Sequence, residues 1–191
     1  MTREQFLGSL LSVVAIPLTA CSQPTAPGNV SGQGGPGPTG PTLIPKPDPN
    51  PKPPEIQKTE AEWRALLSPA AYAILFEGRT EPPGYSPLAS EYRDGTYVCA
   101  ACFLPLFQST VKYHSGTGWP SFWEPISADR VGYSAGNTLS DPRTEYHCSR
   151  CGGHHGHVFP DGPPPTGLRY CNNGLALHFV PQGQVIPDLR N

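Results

Sequence analysis

The stretch 148–179, CSRCGGHHGHVFPDGPPPTGLRYCNNGLALHF, decides how the rest of the chain is read. It opens on a CxxC pair, Cys148 and Cys151, passes through His154, His155 and His157, and reaches a lone cysteine, Cys171, between Arg169 and Asn173. Two short runs within it suit strands: Leu168 to Tyr170, and Leu175 to Val180, where Leu175, Leu177 and Phe179 alternate with Ala176, His178 and Val180. One face of that last run is expected to pack inward. Glycine and proline separate these pieces, which points to small antiparallel strands rather than long helices. Cys171 is the cysteine of the folded region without a CxxC partner, and a thiolate is the nucleophile suited to soft sulfur chemistry.

Outward from this stretch lies a second pair, Cys99-Ala100-Ala101-Cys102. Two residues between cysteines let both sulfurs of a pair reach one ion at about 2.3 Å, and two such pairs make a closed tetrahedral site, most simply for structural zinc. Gly152 and Gly153 fit the tight turn such a knuckle needs. The pairs are far apart in sequence, so a shared metal would clip two distant segments of one domain. Two disulfides are the alternative for a protein in an oxidising space. Against them, a CxxC disulfide favours a helix start, and neither pair precedes a helical pattern.

The amino end predicts export. Met1 to Cys21 carries a short polar head with Arg3, an apolar run from Phe6 to Leu18, and then Leu18-Thr19-Ala20-Cys21. The run is too short to span a bilayer as a mature helix and reads as a signal segment, 1–21. Its end resembles the bacterial lipobox, which implies lipidation of Cys21 and an extracytoplasmic domain anchored by lipid to a membrane of the cell envelope. Segment 22–55 is glycine-rich early and proline-rich late, from Pro45 to Pro54, with too few apolar residues to fold. It is expected to be a tether, extended at about 3.1 Å per residue in its proline half. A proline-rich ligand for a partner domain is the other reading of that composition.

The folded domain is expected over 56–183, with a tail at 184–191. Thr59 is an N-cap candidate before Glu60, Glu62, Trp63, Leu66 and Leu67, and a second helix is predicted from Ser68 to Glu77, with Pro69 in its first turn and Gly78 as its stop. Further strands are predicted at Tyr97-Val98 and Thr144 to His147. A formal charge of -2 and a pI near 6.3 supply no basic footprint. Nucleic acid and an anionic lipid surface are therefore not expected partners.

The strings CAACFLPLF, SGTGWPSFWEPIS, CGGHHGHVFPDGPPPTGLRYCNNG and LHFVP together resemble the methionine-R-sulfoxide reductases, the type B methionine sulfoxide reductase family, from about Thr59 to Pro181. The resemblance implies a mainly β fold of two small antiparallel sheets with short N-terminal helices, clipped by zinc on Cys99, Cys102, Cys148 and Cys151. It implies Cys171 as the nucleophile that attacks the sulfoxide sulfur of the R epimer in peptides, leaving a sulfenic acid. A sulfoxide sulfur becomes electrophilic when its oxygen is protonated or hydrogen-bonded. His157 and His154 are the expected proton donors and water-positioning groups, Asn173 a hydrogen-bonding partner, and Arg169 the charge favouring the thiolate. Asp161 is expected to orient one histidine. Trp119, with Phe122 nearby, is expected to receive the S-methyl group. Without the resemblance, those two aromatics read as core residues, Cys171 reads equally as an inert buried thiol, and the histidines read as surface or metal groups. His155 is given no catalytic duty.

Three departures from that family's pattern stand out. Many members carry a resolving cysteine in the segment here written Ser115-Gly116-Thr117-Gly118, whereas this chain has no cysteine between Cys102 and Cys148. Recycling of Cys171 is thus expected from an external, thioredoxin-like thiol, with the domain acting as a monomer. His155 and Asn172 stand at positions usually apolar. Two other functions use the same residues: a cysteine hydrolase or transferase built on Cys171, His157 and Asn173, and a zinc-knuckle binding module without catalysis. The first lacks a helix-opening oxyanion signal, and the second leaves Cys171 and its polar neighbours unexplained.

Overall fold

The computed structural model describes residues 54–135 and 144–191. The export segment, Cys21 and nearly all of the proline-rich segment lie outside the described residues. No described helix is long and apolar enough to cross a membrane.

Helix α1, Glu60–Leu66, opens with a capping box: the Glu62 N–H donates to Thr59 Oγ1 at 3.3 Å and the Thr59 N–H donates to Glu62 Oε2 at 2.7 Å. Helix α2, Pro69–Glu77, starts at Ser68, whose Oγ accepts the Ala71 N–H at 3.2 Å, and stops at Gly78, which takes φ 66°. The second helix keeps its expected bounds; the first starts at its expected cap, Thr59, and ends at Leu66, with Leu67 already extended as the C-cap. They bury Trp63, Tyr72, Ile74 and Leu75, and Trp63 stacks on Phe76 at 5.0 Å.

Nine strands follow among the described residues: β1 (Gly95–Cys99), β2 (Pro105–Gln108), β3 (Lys112–Tyr113), β4 (Ser121–Phe122), β5 (Val131–Ala135), β6 (Thr144–Cys148), β7 (His154–Phe159), β8 (Arg169–Asn172) and β9 (Leu177–Pro181). They form two antiparallel sheets, one ordered β2-β1-β9 and one ordered β3-β4-β8-β7-β6-β5. The expected mainly β class with two small sheets is what the chain adopts.

The last predicted strand is shorter than its sequence pattern. Gly174–Ala176 forms a 3-10 turn and β9 begins only at Leu177. The chain must leave the large sheet after β8 and join the small one at β9, and the turn makes that corner. Leu177 and Val180 are consequently the buried positions, with His178 exposed between them.

The sheets meet through aromatic rings. Tyr97 and Phe107 from the small sheet, and Phe122, Tyr146 and Tyr170 from the large one, are fully buried. Phe107 stacks on Phe122 at 4.4 Å, Tyr97 meets Phe122 edge-on at 4.9 Å, and Tyr146 meets Tyr170 edge-on at 5.3 Å. Each such pair adds about 0.5–1.5 kcal/mol beyond its area. Residues 184–191, the expected tail, end against the first knuckle: Arg190 Nη1 donates to the Ala100 and Ala101 carbonyls at 3.2 and 3.0 Å. Buried Arg150 donates in turn to the Arg190 carbonyl at 2.6 Å.

Candidate functional site

Two centres sit on this frame. At the first, β1 delivers Cys99 and β6 delivers Cys148, and each strand ends in the same turn. The Phe103 N–H donates to the Cys99 carbonyl and the Gly152 N–H to the Cys148 carbonyl, both at 2.9 Å. The Cys99 N–H and the Cys148 N–H donate to the Leu104 and Gly153 carbonyls, again at 2.9 Å. Both turns need a left-handed residue at the same place: Gly152 supplies it at φ 73°, and Phe103 takes φ 61° despite its side chain.

The four sulfurs of Cys99, Cys102, Cys148 and Cys151 converge within 4.8 Å of one another. Cys99 Sγ lies 3.7 Å from Cys151 Sγ and Cys102 Sγ 3.6 Å from Cys148 Sγ. Both contacts run between knuckles, and none of the five described cysteines is in a disulfide. Sulfurs at the corners of a tetrahedron with about 2.3 Å bonds to its centre stand about 3.8 Å apart. The cluster has that size. Burial, with sulfur neighbours next, pushes the Cys99 thiol up, and hydrogen bonds toward Cys102 and Cys148 push Cys151 up, while Cys148 and the other two sulfurs hold Cys102 down. A cation at the centre would relieve the crowding of thiolates that this geometry imposes.

The second centre is a cleft of about 250 Å³ whose walls include Trp119, His157, Phe159, Arg169, Cys171 and Asn173. Cys171 and His157 are paired across β8 and β7, and Cys171 faces Ser121 of β4 on its other side. Gly156 allows the close approach, because a Cβ there would overlap the Cys171 carbonyl oxygen. Arg169, two residues before Cys171 on the same strand, reaches the same cleft. Trp119 arrives from the loop before β4, its indole N–H donating to the Glu81 carbonyl at 3.1 Å.

The electrostatics of Cys171 differ from expectation. Burial pushes its thiol above the ordinary value; the Arg169 charge and a hydrogen-bonding approach from Thr117 pull it down without prevailing. Arg169 does favour the thiolate, but its guanidinium is shared with Asp161, donating from Nε to Oδ1 at 2.8 Å and from Nη2 to Oδ2 at 2.9 Å. That pairing corrects the assignment of Asp161 to a histidine. Phe159 of β7 lies opposite Arg169 of β8, so the residue two beyond Phe159 meets the arginine. The carboxylate on a histidine is instead Glu145, whose Oε1 lies 2.8 Å from His154 Nδ1.

His154 is buried and outside the cleft walls, with its ring edge-on to His157 at 5.5 Å between centroids. The two histidines come together, with His157 in front. His155 is fully buried against Tyr146, and burial pushes its imidazole down to about 3, which keeps it neutral at physiological pH. Asn172 is buried beside Cys171 with its backbone N–H given to the Pro120 carbonyl at 2.9 Å.

Phe122 does not reach the cleft. Ser121 pairs with Cys171 and Phe122 with Tyr170, and successive residues of a strand point to opposite faces, so Phe122 belongs to the aromatic core. Phe159 is the second aromatic of the cleft, on the His157 face of β7 by the same alternation. Asn173 lines the cleft, but its amide is engaged: Oδ1 accepts the Glu81 N–H at 2.9 Å and Nδ2 donates to the His155 carbonyl at 3.0 Å. Sequence reasoning missed Phe159, which the alternation His157, Phe159 would have found. It also missed Glu81 and Glu145, whose partners no local pattern announces. Burial pushes the Glu81 carboxyl above its usual range while two backbone N–H groups pull against it.

The SelR domain matches residues 67–181. A peptide methionine sulfoxide reductase MsrB of Agrobacterium fabrum is 49% identical over 128 residues, covering 67% of this chain and 95% of that protein. The protein of the same description from Thiobacillus denitrificans is 53% identical over 125 residues, covering 65% of this chain and 95% of its own length. One from Methanosarcina mazei is 48% identical over 126 residues, covering 66% of this chain and 90% of that protein.

Proposed function

Because this chain belongs to the MsrB family of peptide methionine sulfoxide reductases, the family of the SelR domain, we propose that its cleft reduces the R epimer of methionine sulfoxide in peptides and proteins. The observation that carries the reading is the pairing of His157 with Cys171 in a cleft closed by Trp119.

The S-methyl group and sulfur of the substrate sit against the Trp119 indole, where sulfur and methyl contacts with an aromatic face are favourable. The sulfoxide oxygen points to His157, backed by His154, which Glu145 holds. Cys171 sulfur attacks the sulfoxide sulfur, whose oxygen takes the thiol proton through the imidazole, so that an S–S bond forms as the S–O bond breaks and hydroxide leaves. That hydroxide, or a water that gives up a proton in its place, then adds to the Cys171 sulfur as the new S–S bond breaks, so that overall Cys–SH plus CH3–S(O)–R becomes Cys–SOH plus CH3–S–R. Since burial holds the Cys171 proton in the resting cleft, ionisation coupled to protonation of the sulfoxide oxygen avoids a standing buried thiolate. Two equivalents of an external thiol then return Cys–SOH to Cys–SH, releasing water and a disulfide. Thr117 occupies the loop over Cys171, so the cleft walls offer no second cysteine for an internal disulfide.

The four-cysteine cluster is read as a zinc site in which Cys99, Cys102, Cys148 and Cys151 are the ligands and the ion contributes folding stability rather than chemistry. Cys21 is read as a lipidated anchor holding the domain on the extracytoplasmic side of a bacterial membrane, beyond the 22–55 tether; the SelR match begins at residue 67, after both. Incubating the full-length protein with a peptide bearing each sulfoxide epimer and a thiol tests the reaction. Loss of the R epimer alone is expected, and an untouched R peptide would overturn the reading. For the anchor, Cys21→Ser is expected to move the protein from the membrane to the soluble fraction, and unchanged partitioning would remove the lipid from the account.

A further inference from the structure

Glu81 uses every polar group it has to tie the two walls of the cleft together. Its side chain is buried at 4% exposure. Oε1 accepts the Gly174 N–H at 2.8 Å and Oε2 accepts the Leu175 N–H at 2.9 Å. Its own N–H donates to Asn173 Oδ1 at 2.9 Å, and its carbonyl accepts the Trp119 indole N–H at 3.1 Å. Three of these bonds hold the residues just after the nucleophile, and the fourth holds the substrate wall.

The arrangement is an exchange of caps. Asn173 occupies the N-cap of the 3-10 turn Gly174–Ala176 yet gives that turn no side-chain hydrogen bond, because its amide oxygen is taken by the Glu81 N–H. The carboxylate from a segment more than ninety residues away caps the turn instead. Gly174 lets it come close: a Cβ there would overlap Ser86 Oγ and stand 3.2 Å from Glu81 Oε1. A neighbouring bond, Gly84 N–H to the Gly118 carbonyl at 2.7 Å, fastens the same loop to the residue before Trp119.

We infer that Glu81 is a positioning residue for the reductase reaction, setting the separation between the Trp119 indole and the Cys171 sulfur. The inference rests on the reading of those two residues as wall and nucleophile. An error of about 1 Å in such a separation can cost about 100-fold in rate. Glu81→Gln is nearly isosteric but replaces one acceptor with a donor, so it can no longer take both N–H groups.

The test is made on the full-length metal-loaded protein with two rates measured side by side: reduction of a methionine-R-sulfoxide peptide, and alkylation of Cys171 by iodoacetamide, which needs no aromatic wall. In Glu81→Gln, kcat/KM for the sulfoxide is expected to fall about 30- to 100-fold with a rise in KM, while alkylation changes less than about threefold. Should Glu81→Gln fail to fold, Glu81→Asp, which keeps the charge and shortens the reach by one methylene, carries the same comparison with a loss of about tenfold or more. Equal loss of both rates, or loss of neither, overturns the inference. The unmodified protein run alongside reports on the reductase activity itself, so failure of that reading is seen separately.

Discussion

His157 and Cys171 are direct partners across the β7–β8 ladder. Opposed residues of an antiparallel pair present their side chains on one face, with Cβ atoms about 4.5–5.5 Å apart. The distance from imidazole to thiol is thereby set by sheet register and not by a loop. A slip of one residue would turn Cys171 to the other face, and Gly156, pressed against the Cys171 carbonyl, keeps the strands in this alignment.

Cys171→Ser removes the sulfur proposed as the nucleophile and is expected to abolish sulfoxide reduction with little change in melting temperature, since the thiol sits at the edge of a cleft and not in the core. Parent-like turnover by this variant would place the nucleophile elsewhere.

The raised pKa of Cys171 gives a pH dependence of known sign. The thiolate is the reactive form, so burial delays its appearance, and the rate of alkylation by iodoacetamide should still be climbing at pH 9.0, the ordinary thiol value. Arg169→Met removes the charge that partly offsets burial, and should slow alkylation at neutral pH by about 3- to 10-fold. A plateau below pH 8, or no response to Arg169→Met, would contradict the assigned environment.

His157→Asn is expected to lower kcat for the sulfoxide by about 100-fold with the alkylation rate of Cys171 nearly unchanged. His154→Asn acts through His157 and is expected to cost less. Steady-state kinetics on a sulfoxide peptide decide the order, and a larger loss at His154 would reverse the roles.

Trp119→Ala and Phe122→Ala should separate cleanly. The first is expected to raise KM for the sulfoxide peptide at nearly constant stability. The second removes a fully buried ring stacked on Phe107 and is expected to cost about 3–5 kcal/mol in denaturant unfolding, with KM within about twofold. A KM effect at Phe122 would return it to the substrate wall.

Cys99→Ser and Cys151→Ser each break the sulfur tetrahedron and should lower the melting temperature by at least about 10 °C and release the proposed zinc, read by metal analysis of the purified protein. Normal melting with a full complement of zinc would show the cluster to be dispensable.

Much of this protein is written in short range. The capping box at Thr59, the Ser68 and Gly78 boundaries of α2, and the two CxxC turns each depend on residues within a few positions of one another, so their physics is visible in a one-dimensional string. Cys171 stands out the same way, by lacking the partner the other cysteines of the domain have. Beyond that range the string is ambiguous. Phe122 and Phe159 are both aromatics near the site motifs, and only the β4–β8 and β7–β8 registers put one in the core and the other in the cleft. Asp161 and Glu145 were interchangeable carboxylates until strand pairing gave the first to Arg169 and the second to His154. Glu81 has no motif at all, because its worth lies in backbone N–H groups that approach it only after two sheets and a loop have assembled. Local hydrogen bonding and residue chemistry determine which groups this chain possesses; which of them face one another is a property of long-range β pairing, and that is decided only when the chain closes on itself.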